Sequence, residues 1–255
     1  MNVLKSAFKA LTPEQQAIVN GKRVEGRRSP DEWLELLTPV AEFDVQSDAL
    51  RVSKAGFFVR RFARKHDVPN GLRSFTLPLL PILREDQDPS QPLELRLDLS
   101  GFKQDSKRVG KGEPYKQGRY HKIIDTFYDD PWIEGRARFV DGADIRFQVV
   151  DHVRSSRKTK RNARGKIKTK IKSKKKTELA VTVSFPARNY EVAPAPGPRL
   201  GIRKESVSPA EDRTVVRLTR VVQLDSFYAY PDVELLLELI GGAYAKVDPS
   251  RRKKL

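Results

Sequence analysis

Thirteen lysines or arginines fall between Arg154 and Lys176, with no aspartate or glutamate among them. Inside that run, "KIKTKIKSK" (166–174) places a lysine at every second position. Ammonium groups in such a row are suited to neutralising a polyanion. Whether they form a row depends on backbone conformation. In a helix, Lys166, Lys170 and Lys174 would stack at i, i+4 spacing, where like charges repel and no apolar stripe compensates. In a strand, Lys166, Lys168, Lys170, Lys172 and Lys174 share one face. Ile167, Thr169, Ile171 and Ser173 take the other, and their β-branched members favour extended backbone.

The sequence also names the partner strand. Asn162 to Lys166 fits a three-residue hairpin loop, a type I turn followed by Gly165 in the left-handed conformation. Pairing Asn162 with Lys166 sets Phe147 opposite Val181, Ile145 opposite Val183 and Val149 opposite Leu179, so the apolar faces agree. A slip of one residue would oppose Phe147 to Ala180 and break that agreement. The predicted hairpin spans 143–185, with roughly 18 residues per strand and a length of about 60 Å. Ile145, Phe147, Leu179, Val181 and Val183 anchor its base. Arg154, Lys158, Lys160, Lys166, Lys168, Lys170, Lys172 and Lys174 lie along one face, and Arg164 sits in the turn. Eight like charges on two strands repel, so the tip is expected to order only when a polyanion neutralises it.

A two-stranded ribbon fits the DNA major groove. Lysines supply point charges for phosphates, whereas base reading favours bidentate Arg or Asn side chains. The expected partner is therefore nucleic acid, DNA or RNA, bound with little sequence specificity, in an architectural or nucleoprotein component that has further protein partners. A second basic stretch, 106–122, mixes six cations with three glycines. Lys111, Tyr115, Lys116, Arg119 and Tyr120 there combine charge with rings able to stack on bases.

Other chemistries are less well supplied. The chain has no cysteine, which excludes disulfides, thiolate metal sites and a Cys nucleophile. His66, His121 and His152 are far apart in sequence, each beside charged residues, and read as solvated side chains. No G-x-x-x-x-G-K-[ST] loop exists. Asp141, Asp144 and Asp151 have a spacing used by metal-dependent nucleases, but Val153 stands where such a site needs a lysine, and Asp130-Pro131 runs in the wrong order. No cofactor, metal site or catalysis is expected. Alternative readings are a capsid- or scaffold-like assembly subunit with a basic arm, and a metal-dependent nuclease.

The elements that position these residues follow from patterning. The chain has 255 residues, 38% hydrophobic and 33% charged, with a net charge of +17 concentrated in the basic run. Residues 1–90 are expected to be mainly helical. Thr12-Pro13 and Ser29-Pro30 mark helix starts, and a third helix is predicted over 48–66 with Phe57, Phe58 and Phe62 in the core. Four prolines in 75–92 suggest a boundary near 84–92.

Residues 60–77 carry a weak helix-turn-helix pattern, with Ala63 in the first helix and Val68 in the turn. Arg60, Arg61, Arg64 and Lys65 could also lie on an anionic membrane surface, but no membrane partner is expected. From Leu93 the period becomes two, which predicts an antiparallel β domain over 91–248. It ends in a helix at 231–241, with "APAPGP" (193–198) as a stiff link and 249–255 as a basic tail. Asp125-Thr126-Phe127-Tyr128 recurs as Asp225-Ser226-Phe227-Tyr228, either a duplicated β-unit or a reused turn. The fold class is α+β. No signal peptide or membrane span is evident, so a cytoplasmic protein is expected, nucleoid-associated or, in a eukaryote, nuclear.

Overall fold

The computed structural model describes residues 3–53, 56–161, 165–193 and 201–250. Its N-terminal region follows the start signals. Helix α1 (Val3–Ala10) leads to α2 (Pro13–Gly21), where Thr12 and Gln15 satisfy each other's backbone N–H groups in a capping box. After strand β1 (Arg23–Arg28), Ser29 and Glu32 do the same for α3 (Pro30–Val52).

The helix expected over 48–66 is divided between the end of α3 and α4 (Phe57–Lys65). With cations at 60, 61, 64 and 65, only a narrow stripe of α4 can turn inward. Ala63 is buried and Phe62 packs edge-on against Phe8, while Phe57 and Phe58 are 66% and 82% exposed, not in the core as expected. His66 also departs from expectation. It is buried against the Phe8 and Phe62 rings, and desolvation pushes its pKa down.

The first part of the proline-rich stretch is helical, and the helix ends at Asp86, within the boundary expected at 84–92. A π-turn (Leu72–Thr76) runs directly into α5 (Leu77–Asp86), with Pro78 in the first turn of α5, where a missing N–H costs little. Leu72, Phe75, Thr76, Leu79, Leu80 and Leu83 are buried. Arg73 is held by Asp44 (3.1 Å) and Asp48 (2.5 Å) of α3. A recognition helix must present its side chains outward. This segment turns them into the protein, so the helix-turn-helix pattern does not become a reading head.

The sheet is antiparallel, in the order Arg23–Arg28, Leu93–Asp98, Tyr120–Arg138, Asp144–Arg161, Ile167–Pro186, Arg213–Val222, Lys204–Pro209. It is formed by β1, β2 (Leu93–Asp98), β3 (Arg108–Lys111), β4 (Tyr115–Gln117), β5 (Tyr120–Arg138), β6 (Asp144–Arg161) and β7 (Ile167–Pro186). Two further strands, β9 (Lys204–Pro209) and β10 (Arg213–Val222), complete it, while β8 (Tyr190–Val192) belongs to a separate pair. Beyond the end of β2, β3 and β4 take over the edge of β5.

Helix α6 (Val233–Tyr244), capped by Asp232, packs on β7 and β10, and β11 (Val247–Pro249) pairs with β8. One hydrophobic cluster joins Trp33, Leu37 and Phe43 of α3 with Leu93, Leu95 and Leu97 of β2, the core face of β6 and β7, and Leu236 and Leu239 of α6. Strand β1 pairs with β2 and so brings the N-terminal region into the sheet. Its sequence, "RVEGRR", has no apolar alternation to announce it. The architecture is α+β, and among the described residues no helix is long and apolar enough to cross a membrane.

The predicted hairpin register is the one observed. Phe147 faces Val181, Ile145 faces Val183 and Val149 faces Leu179, with pairing continuing to Arg161↔Ile167. Gly165 has φ +74°, the left-handed conformation the turn requires. The remaining turn residues, Asn162 to Arg164, the stretch 194–200 within and after the Pro-rich link, and 251–255 of the basic tail lie outside the described residues.

Candidate functional site

The basic segment projects as a finger of three long strands, β5, β6 and β7, of 19, 18 and 20 residues. This corrects the two-stranded ribbon. β5 follows β6 as far as Lys122↔Thr159, leaving only the last rungs, Lys160↔Lys168 and Arg161↔Ile167, two strands wide. Strand β5 escaped sequence reading because Pro131 and a bulge between Pro131 and Ile133 interrupt its alternation. The two-stranded shape that fits a major groove is retained only at the tip. On the far side, β10 stops at Val222↔Thr177, so the outer edge of β7 runs on without a strand neighbour. The Gln223 amide caps this edge by donating to the Lys175 carbonyl (2.9 Å). Lysines along such an edge discourage unwanted strand pairing.

Register fixes which side chains share a face. Arg154 opposes Lys174, Ser156 opposes Lys172, Lys158 opposes Lys170, and Lys160 opposes Lys168. β5 adds Phe127 beside Arg154, Asp125 beside Ser156 and Ile123 beside Lys158. Lys166 is exposed just before the first paired residue, and Arg164 lies outside the described residues. Among the described residues, no carboxylate oxygen lies within 4.0 Å of Arg154, Lys158, Lys160, Lys168, Lys170, Lys172 or Lys174. Elsewhere cations are commonly paired: Arg23 with Asp98, Arg28 with Glu14, Arg84 with Asp31, Arg213 with Asp144. The finger face thus carries a dense row of cations without ion pairs, with its electrostatic potential directed to solvent.

The second basic stretch is not a free loop. β3 and β4 flank β5, and this brings two of its tyrosines to the lysine face. Tyr115 stands opposite Ile123, and its hydroxyl donates to Asp125 (3.2 Å). The Lys158 ammonium lies 5.7 Å from the centre of the Tyr120 ring, with the Arg119 guanidinium at 5.9 Å. A hydrogen bond with Arg119, assisted by the charges of Lys160 and Lys172, lowers the Tyr120 pKa. Lys116 is exposed on β4. Lys111 faces away, since it opposes Thr126, one residue out of phase with Phe127.

The same phase places Ile167 and Ile171 on the reverse face, 63% and 59% exposed. The phenylalanine went unrecognised in the sequence. Of the Asp125–Tyr128 segment, Tyr128 packs against Phe102 on the reverse side while Phe127 stays 40% exposed among the cations. The repeated Asp225–Tyr228 lies in a loop, not a strand, so no duplicated β-unit exists. Its Phe227 reaches the same Phe102 ring.

Buried charges clamp the root of the finger. Lys107 lies between Asp98 (3.1 Å) and Asp130 (2.6 Å). Desolvation raises the Asp130 pKa against the hydrogen bond from Lys107. At Asp98, hydrogen bonds from Ser100, Lys107 and Arg23 outweigh desolvation and bring the pKa to about 2.

The three carboxylates considered for metal chemistry serve separate structural tasks. Asp141 accepts from the Tyr190 and Tyr244 hydroxyls (2.6 and 2.7 Å), Asp144 pairs with Arg213, and Asp151 pairs with Lys175 (2.9 Å). Asp151 is seven residues from Asp144 along one strand, about 23 Å away. Among the described residues, the one group of acidic side chains close enough to share an ion is Asp44, Asp48 and Asp67, and Arg73 and Arg51 already neutralise it. His152 sits between Asp129 (2.7 Å) and Glu178 (3.7 Å).

No protein-family model matches the chain, and neither a curated protein nor a solved structure matches it.

Proposed function

We propose that the protein binds nucleic acid along the lysine face of the finger, chiefly through phosphates, as an architectural or nucleoprotein component without catalysis of its own. The observation that carries this reading is the row formed by Arg154, Lys158, Lys160, Lys168, Lys170, Lys172 and Lys174, none of which has a carboxylate oxygen within 4.0 Å among the described residues. A row of unpaired ammonium groups on a rigid sheet costs self-repulsion, which a polyanion would relieve. Lysine gives phosphate contacts without base discrimination, so affinity is expected to vary little with sequence. Such a ligand places the protein in the cytoplasm or, in a eukaryote, the nucleus.

Filter binding with a duplex, repeated across salt concentrations, tests the reading. If five of these cations touch phosphates, log K falls by roughly 4–5 per decade of salt. A flat response, or no binding at low salt, rejects it.

A further inference from the structure

We infer that the finger accepts single-stranded nucleic acid with an unstacked base seated on Phe127. This inference rests on the phosphate-binding reading above and narrows it to a strand form and a base position.

Phe127 lies in a cleft of about 450 Å³ at the lower end of the lysine face. The cleft is lined by Asp129, His152, Arg154, Lys174 and Lys176, with Gln223 at the β7 edge, and the His152 ring sits against the Asp129 carboxylate at 2.7 Å. Its volume falls within the range of pre-formed small-ligand sites. An exposed phenylalanine in the middle of a strand, surrounded by cations, is poorly explained by stability. Its ring is 40% exposed and outside the hydrophobic core cluster, which lies on the opposite face of β5.

The neighbouring backbone keeps the ring open. Gly110 and Gly112 run beside it, and a Cβ on either would stand only 3.9 Å from a ring carbon. Longer side chains at those positions would cover it. Three groups that bind nucleic-acid components therefore meet in one cleft: an aromatic face for a base, cations for the flanking phosphates, and an amide able to hydrogen-bond a base edge. Duplex DNA keeps its bases stacked inside and cannot use the ring. A single strand can, and the rings of Tyr115 and Tyr120 farther along the same face continue the path.

The test compares fluorescence anisotropy of a labelled oligothymidylate and of a labelled duplex of equal length, using the full chain. Phe127→Ala is expected to weaken binding of the single strand about tenfold, as loss of one base–aromatic stack does, and to leave duplex binding within twofold. Phe127→Trp is expected to restore single-strand affinity, with its emission quenched on titration. Because the ring is partly exposed, both variants should melt near wild type.

Unchanged single-strand binding by Phe127→Ala overturns the inference while leaving phosphate binding standing. Equal losses for single strand and duplex overturn it as well, because the ring would then act only through the shape of the sheet. If the wild-type chain binds neither probe, the phosphate reading fails first and the base site with it.

Discussion

The ammonium of Lys175 lies 2.9 Å from the Asp151 carboxylate and 2.8 Å from the Ala229 carbonyl, buried at the root of the finger, while Lys174 and Lys176 on either side of it are exposed. The pleat separates them, since successive side chains point to opposite faces. Three consecutive lysines therefore hold two different jobs. Lys175 also faces the Tyr230 ring at 5.1 Å, and Asp151 takes a second hydrogen bond from Thr177 (2.6 Å). Lys175→Met would leave the Asp151 carboxylate buried without its counter-charge. Loss of one partner of a buried pair costs about 3–5 kcal/mol. Urea unfolding should show that loss, whereas Lys174→Met should stay within about 0.5 kcal/mol of wild type.

Gly135 on β5 faces Phe147 on β6, and a Cβ built on Gly135 would meet the ring at 2.2 Å. Gly135→Ala should destabilise by about 1–3 kcal/mol through overpacking. Phe147→Leu shortens the obstructing side chain. In a double-mutant cycle, the pair should therefore lose less than the two single losses combined, with a coupling of roughly 0.5–3 kcal/mol. Additive losses would show that the clash is relieved elsewhere.

The hairpin was legible because two local signals constrained one register. The turn chemistry around Gly165 and the apolar alternation near Phe147 and Val181 lie far apart in sequence yet demand the same pairing. Other features had no such redundancy. β1 carries charge at four of its six positions, and β5 contains a proline and a bulge, so neither shows a period of two. The helix through Pro78 and Pro81 survives because one proline sits in a first turn and the segment's buried leucines pack on α3, a tertiary gain that local rules do not register. Phe127 could not be assigned to the lysine face without knowing the β5–β6 register, since its neighbour Tyr128 faces the other way. Phe57 and Phe58 were expected in the core as part of an amphipathic helix, but the cations that follow them leave α4 too narrow an inward stripe.

Asp44 gives the fold a pH dependence with a definite sign. Burial pushes its pKa up to about 6 from 3.8, despite hydrogen bonding from Val68 and the charge of Arg73. A carboxyl that holds its proton more tightly when folded contributes stability below pH 4. That contribution is lost as pH rises through about 6. Asp44→Asn cannot ionise and lacks this dependence. The stability difference between wild type and Asp44→Asn should therefore shift against wild type by roughly 3 kcal/mol between pH 4 and 7. Urea titrations at several pH values measure it, and a constant difference would mean that Arg73 keeps Asp44 ionised throughout.

The tip separates binding from folding more cleanly than removal of the whole basic run. Deleting 154–176 would take away Lys175 and strip the β6 partners from β5 residues 122 to 127, so the body itself would suffer. Replacing 159–169 with Asn-Gly keeps Lys158 opposite Lys170 and closes the hairpin with a two-residue turn. Ile123, fully buried, retains its Lys158 neighbour. The change removes five cations: Lys160, Arg161, Arg164, Lys166 and Lys168. Its urea midpoint should stay close to wild type, because none of the described residues removed is buried. If all five meet phosphates, the slope of log K against log salt should become shallower by roughly 4–5. An unchanged slope would place the contacts lower on the finger, on Arg154, Lys158, Lys170, Lys172 and Lys174.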